Sequence, residues 1–257
     1  MGADRAEAMM DMPAWPGGRN VRDLGGRALR AGGHTPFGRV FRSAAPEHLT
    51  DDGWIAAKAA GVRTVVDLRN APAETRRTAD HPVVRPESLR GLTFMPAPTE
   101  DPEDAEFLRV CGPHLDHPCC WSDNARLAPA RIAAALRAIA RADGALLVHC
   151  AGGRDRTGMI SAMVLHIAGA TDEAIIEDYA AGWRGAGKYA GHAWVYNPDR
   201  ESWQRHRHGP TEADELERQV ADRVPALREW IATFDGTAFL EPADVRAIRS
   251  RLTPVGA

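Results

Sequence analysis

"GALLVHCAGGRDRTGMISAMVL", residues 144–165, is the stretch whose reading decides the fold. The run "ALLVHC" reads as a strand that ends on Cys150, and "RTGMISAMVLHIAGA" reads as a helix closed by Gly169. The loop between that strand and the helix proper, which starts near Thr157, holds six consecutive residues whose backbone amides can converge on one point. Gly152 and Gly153 let the chain fold tightly there, and the helix N-terminus adds the positive end of its dipole. That combination describes an anion cradle, and phosphate is its natural occupant. A cysteine at the head of such a cradle has its thiolate stabilised by the amides and by Arg156, which makes it a nucleophile at neutral pH.

Spacing alone does not single out this cysteine. With four cysteines in 257 residues and a chain rich in arginine, about half a match to cysteine followed six residues later by arginine arises by chance. Cys120 and Arg126 in "CWSDNAR" satisfy it too. No apolar strand precedes them, no glycine separates them, and no Thr-Gly pair opens a helix after them. Context therefore selects Cys150.

Working outward, "NVRDLGG" (20–26) and "GRVFRSAA" (38–45) read as short strands, and "RTVVDLRN" (63–70) as a buried one. "LTDDGWIAAKAAGV" opens with Thr50 as N-cap and stops at Gly61, which predicts a helix. "LTFMPAP" predicts another strand before a loop-rich excursion over 96–118. "LAPARIAAALRAIARADG" repeats apolar residues at helical spacing, and "TDEAIIEDYAAG" predicts a helix capped by Thr171. Two more helices follow, "EADELERQVADRVPALREWIATF" with Pro225 inside it, and "EPADVRAIRSRL". Strands alternating with helices predict an α/β fold whose partly parallel central sheet is flanked by helices.

The bulk composition narrows the partners. A net charge of -3 gives no global electrostatic reason to bind nucleic acid or an anionic membrane. Only Lys58 and Lys188 are lysines among 32 basic residues, a bias that carries no functional weight by itself. Cys111, Cys119, Cys120 and Cys150 are too few and too clustered for a disulfide framework, which suits a reducing compartment. The start of the chain lacks a basic flank followed by an apolar core, and no apolar run is long enough for a membrane anchor, so a cytoplasmic protein is expected. Residues 1–18 are expected as a loose arm and 19–257 as one domain.

"HCAGGRDRTG" resembles the signature loop of cysteine-dependent protein tyrosine phosphatases, in particular the bacterial branch of tyrosine and lipid phosphatases with an aspartate beside the loop arginine. "NVRDLGG", "GRVFRSAA" and "VVDLRNAPAE" (65–74) are similar to that branch's N-terminal blocks, in the same order, so the resemblance covers most of residues 18–182. It implies the tyrosine-phosphatase-like fold and a reaction that needs no metal and no cofactor. Cys150 would attack phosphorus and form a phosphocysteine. Ala151, Gly152, Gly153, Arg154, Asp155 and Arg156 would line the phosphate, with Arg156 clamping two of its oxygens. Thr157 would donate its hydroxyl to the sulfur and ease the second step, while His149 would brace the loop and tune the thiolate.

The leaving oxygen also needs a proton, for which carboxylates are the usual donors. The chain has no Trp-Pro-Asp loop. Asp155 is the first candidate, because the related branch carries an aspartate there, and Asp67 at the exit of "VVDLR" is the second. The bland reading of Asp67 is a strand-end carboxylate paired with Arg69 or Arg22. Arg154 stands where the related phosphatases usually have a lysine associated with phosphoinositide head groups, so the charge is kept with a different shape.

Residues 183–209 concentrate aromatic and cationic side chains without helical periodicity. They are expected either as a lid or rim with aromatic faces for a ring and cations for extra charge, or as an insertion packed on the body. Lys188 and Trp194 from this segment, with Arg22, Asp23 and Arg69 from the N-terminal blocks, are the candidates for contacting the rest of the substrate. His206 and His208 lack a third ligand at matching spacing and are not read as a metal site. The leading expectation is a protein tyrosine phosphatase. The same chemistry on a small nucleoside-like or sugar phosphate, and a non-catalytic phosphate-binding pseudophosphatase, are the alternatives. A thiol-dependent reductase or sulfur transferase ranks last, since a reductase of that kind needs a resolving cysteine near the cradle.

Overall fold

The computed structural model describes residues 13–70, 74–75 and 77–254. In chain order its elements are β1 (Arg22–Asp23), β2 (Val40–Ser43), α1 (Asp51–Ala59), β3 (Val62–Asp67), α2 (Pro86–Leu89), β4 (Thr93–Pro96), α3 (Ala105–Cys111), α4 (Trp121–Leu127) and α5 (Pro129–Ala140). They continue with β5 (Ala145–His149), α6 (Asp155–Ala168), α7 (Asp172–Gly187), β6 (Gly191–Asn197), β7 (Ser202–His208), α8 (Ala213–Thr233) and α9 (Pro242–Leu252).

The central sheet runs β1-β2-β5-β3-β4, with only the β1–β2 pair antiparallel. β5 is the middle strand and is buried along its whole length, which is why it reads as an unbroken apolar run. Its side chains alternate between two cores. Leu146 and Val148 join the larger one, built on α5 to α9 around Leu136, Met163, Trp183 and Trp230. Leu147 joins the smaller one with Phe41, Trp54 of α1 and Val65. Each fully buried aliphatic side chain of this kind contributes about 1.5–3 kcal/mol, so a strand buried on both faces fixes the register of its neighbours. Ser43 of β2 and Asp67 of β3 both stand opposite His149. Cys150 therefore leaves the sheet at the carboxyl edge of its central strand, flanked by two parallel neighbours, where open α/β sheets bind their ligands.

Local signals place the helices around it. Thr50 caps α1 by accepting from Gly53 N, and Thr171 caps α7 by accepting from Ala174 N, both at 3.2 Å. Gly169 closes α6 in the left-handed conformation.

Three expectations need correction. The helix predicted over 171–182 runs on to Gly187. Gly182 is not a stop: a Cβ there would stand 2.6 Å from Arg42 Nη2 and 2.9 Å from Arg22 Nη2, and one at Gly185 would meet Asn20 Oδ1 at 2.1 Å. These glycines admit neighbouring side chains to the helix flank. Residues 183–209 are likewise not one irregular segment. Residues 183–187 finish α7, with Trp183 in the core, and 191–208 form the β6–β7 hairpin, in which Asn197 faces Ser202. Of the arm expected over 1–18, residues 1–12 lie outside the described residues. Trp15 is buried, with its ring centroid 5.0 Å from that of Phe41, so the chain is packed from there on. Among the described residues no helix is long and apolar enough to cross a membrane.

Candidate active site

The loop after β5 is held from behind by its own carbonyl groups. The backbone N–H of Ala45 donates to Ala151 O at 2.9 Å. Asn20 Nδ2 lies 3.1 Å from the carbonyl oxygens of both Gly152 and Gly153, and 3.0 Å from that of Gly182. Arg42 Nη2 adds a second donor to Gly153 O at 2.9 Å. Three successive carbonyls thus face the protein body. A trans peptide points its N–H opposite to the preceding C=O, so the amides of Gly152, Gly153 and Arg154 turn the other way, beside the N-terminus of α6. Gly153 has φ +65°, and a Cβ on it would approach the Ser43 carbonyl to 2.4 Å.

The donors that hold the loop are themselves fixed. Arg22 Nη1 donates to Asn20 Oδ1 at 2.5 Å, which orients the amide so that its nitrogen meets the loop. Arg22 and Arg42 converge on Asp178 of α7, whose carboxylate is ion-paired with Arg42 and 3.8 Å from Arg22. Burial alone would raise the Asp178 carboxyl, but Arg42 and Arg22 hold it below the usual carboxylate range. All four side chains are buried, and together they tie β1, β2 and α7 to the cradle.

Cys150 is buried at the head of the loop. His149 Nδ1–H donates to the Cys150 carbonyl at 3.2 Å, which fixes the tautomer because a carbonyl can only accept. Burial pulls the His149 imidazole below its ordinary pKa against the opposing pull of Asp67. Arg156, in the first turn of α6, brings its guanidinium to the same place. There it donates to Glu74 Oε2 at 2.6 Å and lies 3.5 Å from Glu100 Oε2. Burial alone would lower its pKa, but Glu100, Glu74 and the nearby Cys150 raise it, so it is a permanent cation. Glu100 is buried and accepts from Asn70 Nδ2 at 3.0 Å. Its carboxyl is pushed up by burial, with the pull of Arg156 opposed by Glu74 and Asp155.

The remaining predicted residues divide. Arg154 Nε reaches both Asp155 oxygens, at 3.0 and 3.2 Å, and its guanidinium lies over the Trp183 ring, 4.1 Å from the centroid. Thr157 is fully buried, and its hydroxyl has no hydrogen-bond partner among the described residues, the sulfur included. Asp67 accepts from Arg69 N, Nε and Nη2 at 3.0, 2.9 and 2.7 Å. Burial would raise its carboxyl, but Arg69 and His149 hold it below the usual range. Asp67 is therefore a clamped carboxylate, which is the bland reading of the sequence, and not a reservoir of protons.

Three of the candidates for contacting the rest of the substrate are turned inward. Arg22 serves Asn20 and Asp178, as above. Asp23 is buried and accepts from the backbone N–H groups of Gly25 and Gly38, at 2.8 and 2.7 Å. Arg69 is spent on Asp67 and on Glu47, the latter at 2.7 Å. Lys188 and Trp194 remain exposed, at the end of α7 and on β6. The hairpin carrying Trp194 rests on the 100–114 segment: Tyr196 packs against Gly112, and Trp203 Nε1 donates to Pro102 O at 3.5 Å.

Sequence reasoning missed Asn20, Arg42, Asp178, Glu74 and Glu100. Asn20 and Arg42 sit inside the two N-terminal blocks, and Asp178 is a charge on an otherwise apolar helix face beside Ile175 and Tyr179, which was a usable signal. Glu74 and Glu100 carry no local pattern.

A family model for the tyrosine phosphatase family matches residues 13–236. A tyrosine-protein phosphatase of Nostoc commune is 46% identical over 44 residues, 17% of this chain and 15% of that protein. A putative tyrosine-protein phosphatase of Cupriavidus necator is 29% identical over 171 residues, 62% of this chain and 59% of that protein. The chain thus spans less than two thirds of the length of these curated relatives. Among solved structures, P. aeruginosa TpbA aligns at 15% identity and a TM-score of 0.39, over 80% of this chain and 86% of that one. A structure of TpbA in complex with pTyr aligns at 16% identity and a TM-score of 0.37, over 86% of this chain and all of the other.

Proposed function

The chain belongs to the tyrosine phosphatase family, and from that premise we propose that it is a phosphomonoester hydrolase working through a phosphocysteine intermediate. The observation that carries the reading is the turn of the Ala151, Gly152 and Gly153 carbonyls toward the protein body, which leaves amide donors, a helix N-terminus and the Arg156 cation around Cys150.

In the first step Cys150 attacks phosphorus while the cradle amides and Arg156 hold the equatorial oxygens. Arg156 exchanges its Glu74 contact for phosphate as it does so, a swap between two anions at one guanidinium. Neutral His149 keeps the Cys150 carbonyl turned away from the sulfur. In the second step water attacks the phosphocysteine, and the Thr157 hydroxyl, which has no hydrogen-bond partner among the described residues, turns to the departing sulfur. Arg154, stacked on Trp183 and paired with Asp155, supplies positive charge at the cradle.

Phosphotyrosine on a protein is the leading substrate, in keeping with the names of the relatives. The discriminating experiment is a panel of phosphotyrosine peptides and small phosphate esters, assayed with the wild type, Cys150→Ser and Arg156→Ala. The reading predicts loss of turnover in both variants and the best turnover on the peptides. Strong turnover of one metabolite with poor turnover of peptides would transfer the chemistry to a small-molecule substrate. A Cys150→Ser protein as active as the wild type would remove Cys150 from the reaction.

A further inference from the structure

We propose that Glu100 is the proton donor to the leaving oxygen, a role that rests on the phosphatase reading and that neither aspartate of the sequence expectation fills. Glu100 follows β4, at the same carboxyl edge of the sheet as Cys150. It is 5% exposed, and its Oε2 lies 3.5 Å from Arg156 Nη1 and 3.0 Å from Asn70 Nδ2. The guanidinium that clamps the phosphoryl group therefore brings the substrate against this carboxyl.

Its competitors are engaged elsewhere. Asp67 takes three N–H groups from Arg69 and is held ionised. Asp155 is occupied by the Arg154 guanidinium. Glu100 is surrounded otherwise: Glu74, Asp155 and Arg156 act on it, Asn70 touches it, and Cys111 and Cys120 lie within reach of its charge. Burial is the largest influence on it, and the like charges of Glu74 and Asp155 add to burial against the pull of Arg156 and Asn70, so the carboxyl is pushed toward its protonated form. A carboxyl raised above its ordinary range is suited to general acid catalysis. Asp155 then has a supporting part, because its negative charge helps keep Glu100 protonated.

The step balances without an added reagent. The sulfur of Cys150 forms the P–S bond, the P–O bond to the leaving group breaks, and its electron pair takes the Glu100 proton, which leaves a carboxylate. In the second step that carboxylate accepts a proton from the attacking water as the new P–O bond forms and the P–S bond breaks. Thiolate and protonated Glu100 are both restored.

The test compares two aryl phosphates that differ in how much the leaving oxygen needs its proton. Glu100→Gln is expected to lower kcat/KM for phenyl phosphate by about 10²–10⁴-fold, and that for p-nitrophenyl phosphate, whose phenol is far more acidic, by no more than several-fold. On phenyl phosphate the wild type is expected to lose kcat/KM at high pH as Glu100 ionises, and that fall is expected to disappear in the variant. Equal losses on both esters with a raised KM would make Glu100 a positioning residue for Arg156 and overturn the proposal, as would a leaving-group-selective loss in Asp155→Asn but not in Glu100→Gln. Cys150→Ser, run beside them, separates the outcomes: if it abolishes turnover of both esters, the phosphatase reading stands whichever way Glu100 falls.

Discussion

Gly153 and Ser43 approach so closely that a Cβ on residue 153 would stand 2.4 Å from the Ser43 carbonyl, in a backbone conformation with φ +65°. At Gly152 the nearest atom to such a Cβ is Arg154 Cβ, 4.0 Å away. Two adjacent glycines of the cradle therefore have unequal tolerance. Gly153→Ala is expected to destabilise the fold by about 1–3 kcal/mol and to abolish stabilisation by added phosphate in a thermal melt. Gly152→Ala is expected to stay within about 1 kcal/mol of the wild type and to retain the phosphate response. Equal behaviour of the two would remove the steric account of the cradle.

Asn20 is expected to matter through the loop it holds. Asn20→Ala strands the Gly152 carbonyl and leaves that of Gly153 to Arg42 alone, at a cost of about 1–3 kcal/mol. Competitive inhibition by inorganic phosphate should weaken at the same time, because amides that are no longer aimed lose their anion. Asp178→Asn removes the counter-charge from Arg42 and Arg22 in the protein interior, a change worth about 3–5 kcal/mol. Urea unfolding of both variants measures these costs, and an Asn20→Ala protein that binds phosphate as the wild type does would contradict the first.

Acid sensitivity should begin at the histidines and not at the carboxylates. Burial depresses the imidazoles of His81, His149 and His166, and takes His48 down to about 4. Below pH 6.5 the unfolded chain then binds more protons than the folded one, so stability falls as pH drops from there. Asp67, Asp178 and Glu47 are held below the usual carboxylate range, so their contributions persist to lower pH. Glu100 acts in the opposite sense: its carboxyl is raised in the fold, so its cost to stability grows as pH rises above 4.5. Glu100→Gln should accordingly gain more stability at pH 8 than at pH 4.5. Urea midpoints across pH 4.5–8 check both signs, and a flat profile for the wild type between pH 6.5 and 5 would contradict the histidine account.

What the sequence made legible follows from burial. β5 is enclosed on both faces and α6 on most of its circumference, so both read as apolar runs, and Thr50, Thr171 and Gly169 punctuate the helices with recognisable caps. The hairpin 191–208 leaves little trace because Tyr196 is the one buried side chain among its described residues, which makes its alternation weak. The sequence ends α7 early at Gly182, which reads as a terminus but makes room for Arg42 and Arg22, as Gly185 beyond it does for Asn20. Glu74 and Glu100 lie 82 and 56 residues from Arg156, and only the parallel sheet, by stacking strand ends at one edge, brings them to it. Charged partners assembled by topology leave no local trace.

The central claim is that Cys150 is the nucleophile, and the covalent intermediate tests it most directly. Protein mixed with p-nitrophenyl phosphate and quenched under denaturing conditions is digested and its peptides weighed, in the wild type and in Thr157→Ala, where breakdown of the intermediate is expected to slow. The account predicts that the peptide containing Cys150 gains the mass of one phosphoryl group, more strongly in Thr157→Ala and not at all in Cys150→Ser. Sustained turnover with no adduct on Cys150, or a Cys150→Ser protein that hydrolyses the ester at the wild-type rate, would contradict it.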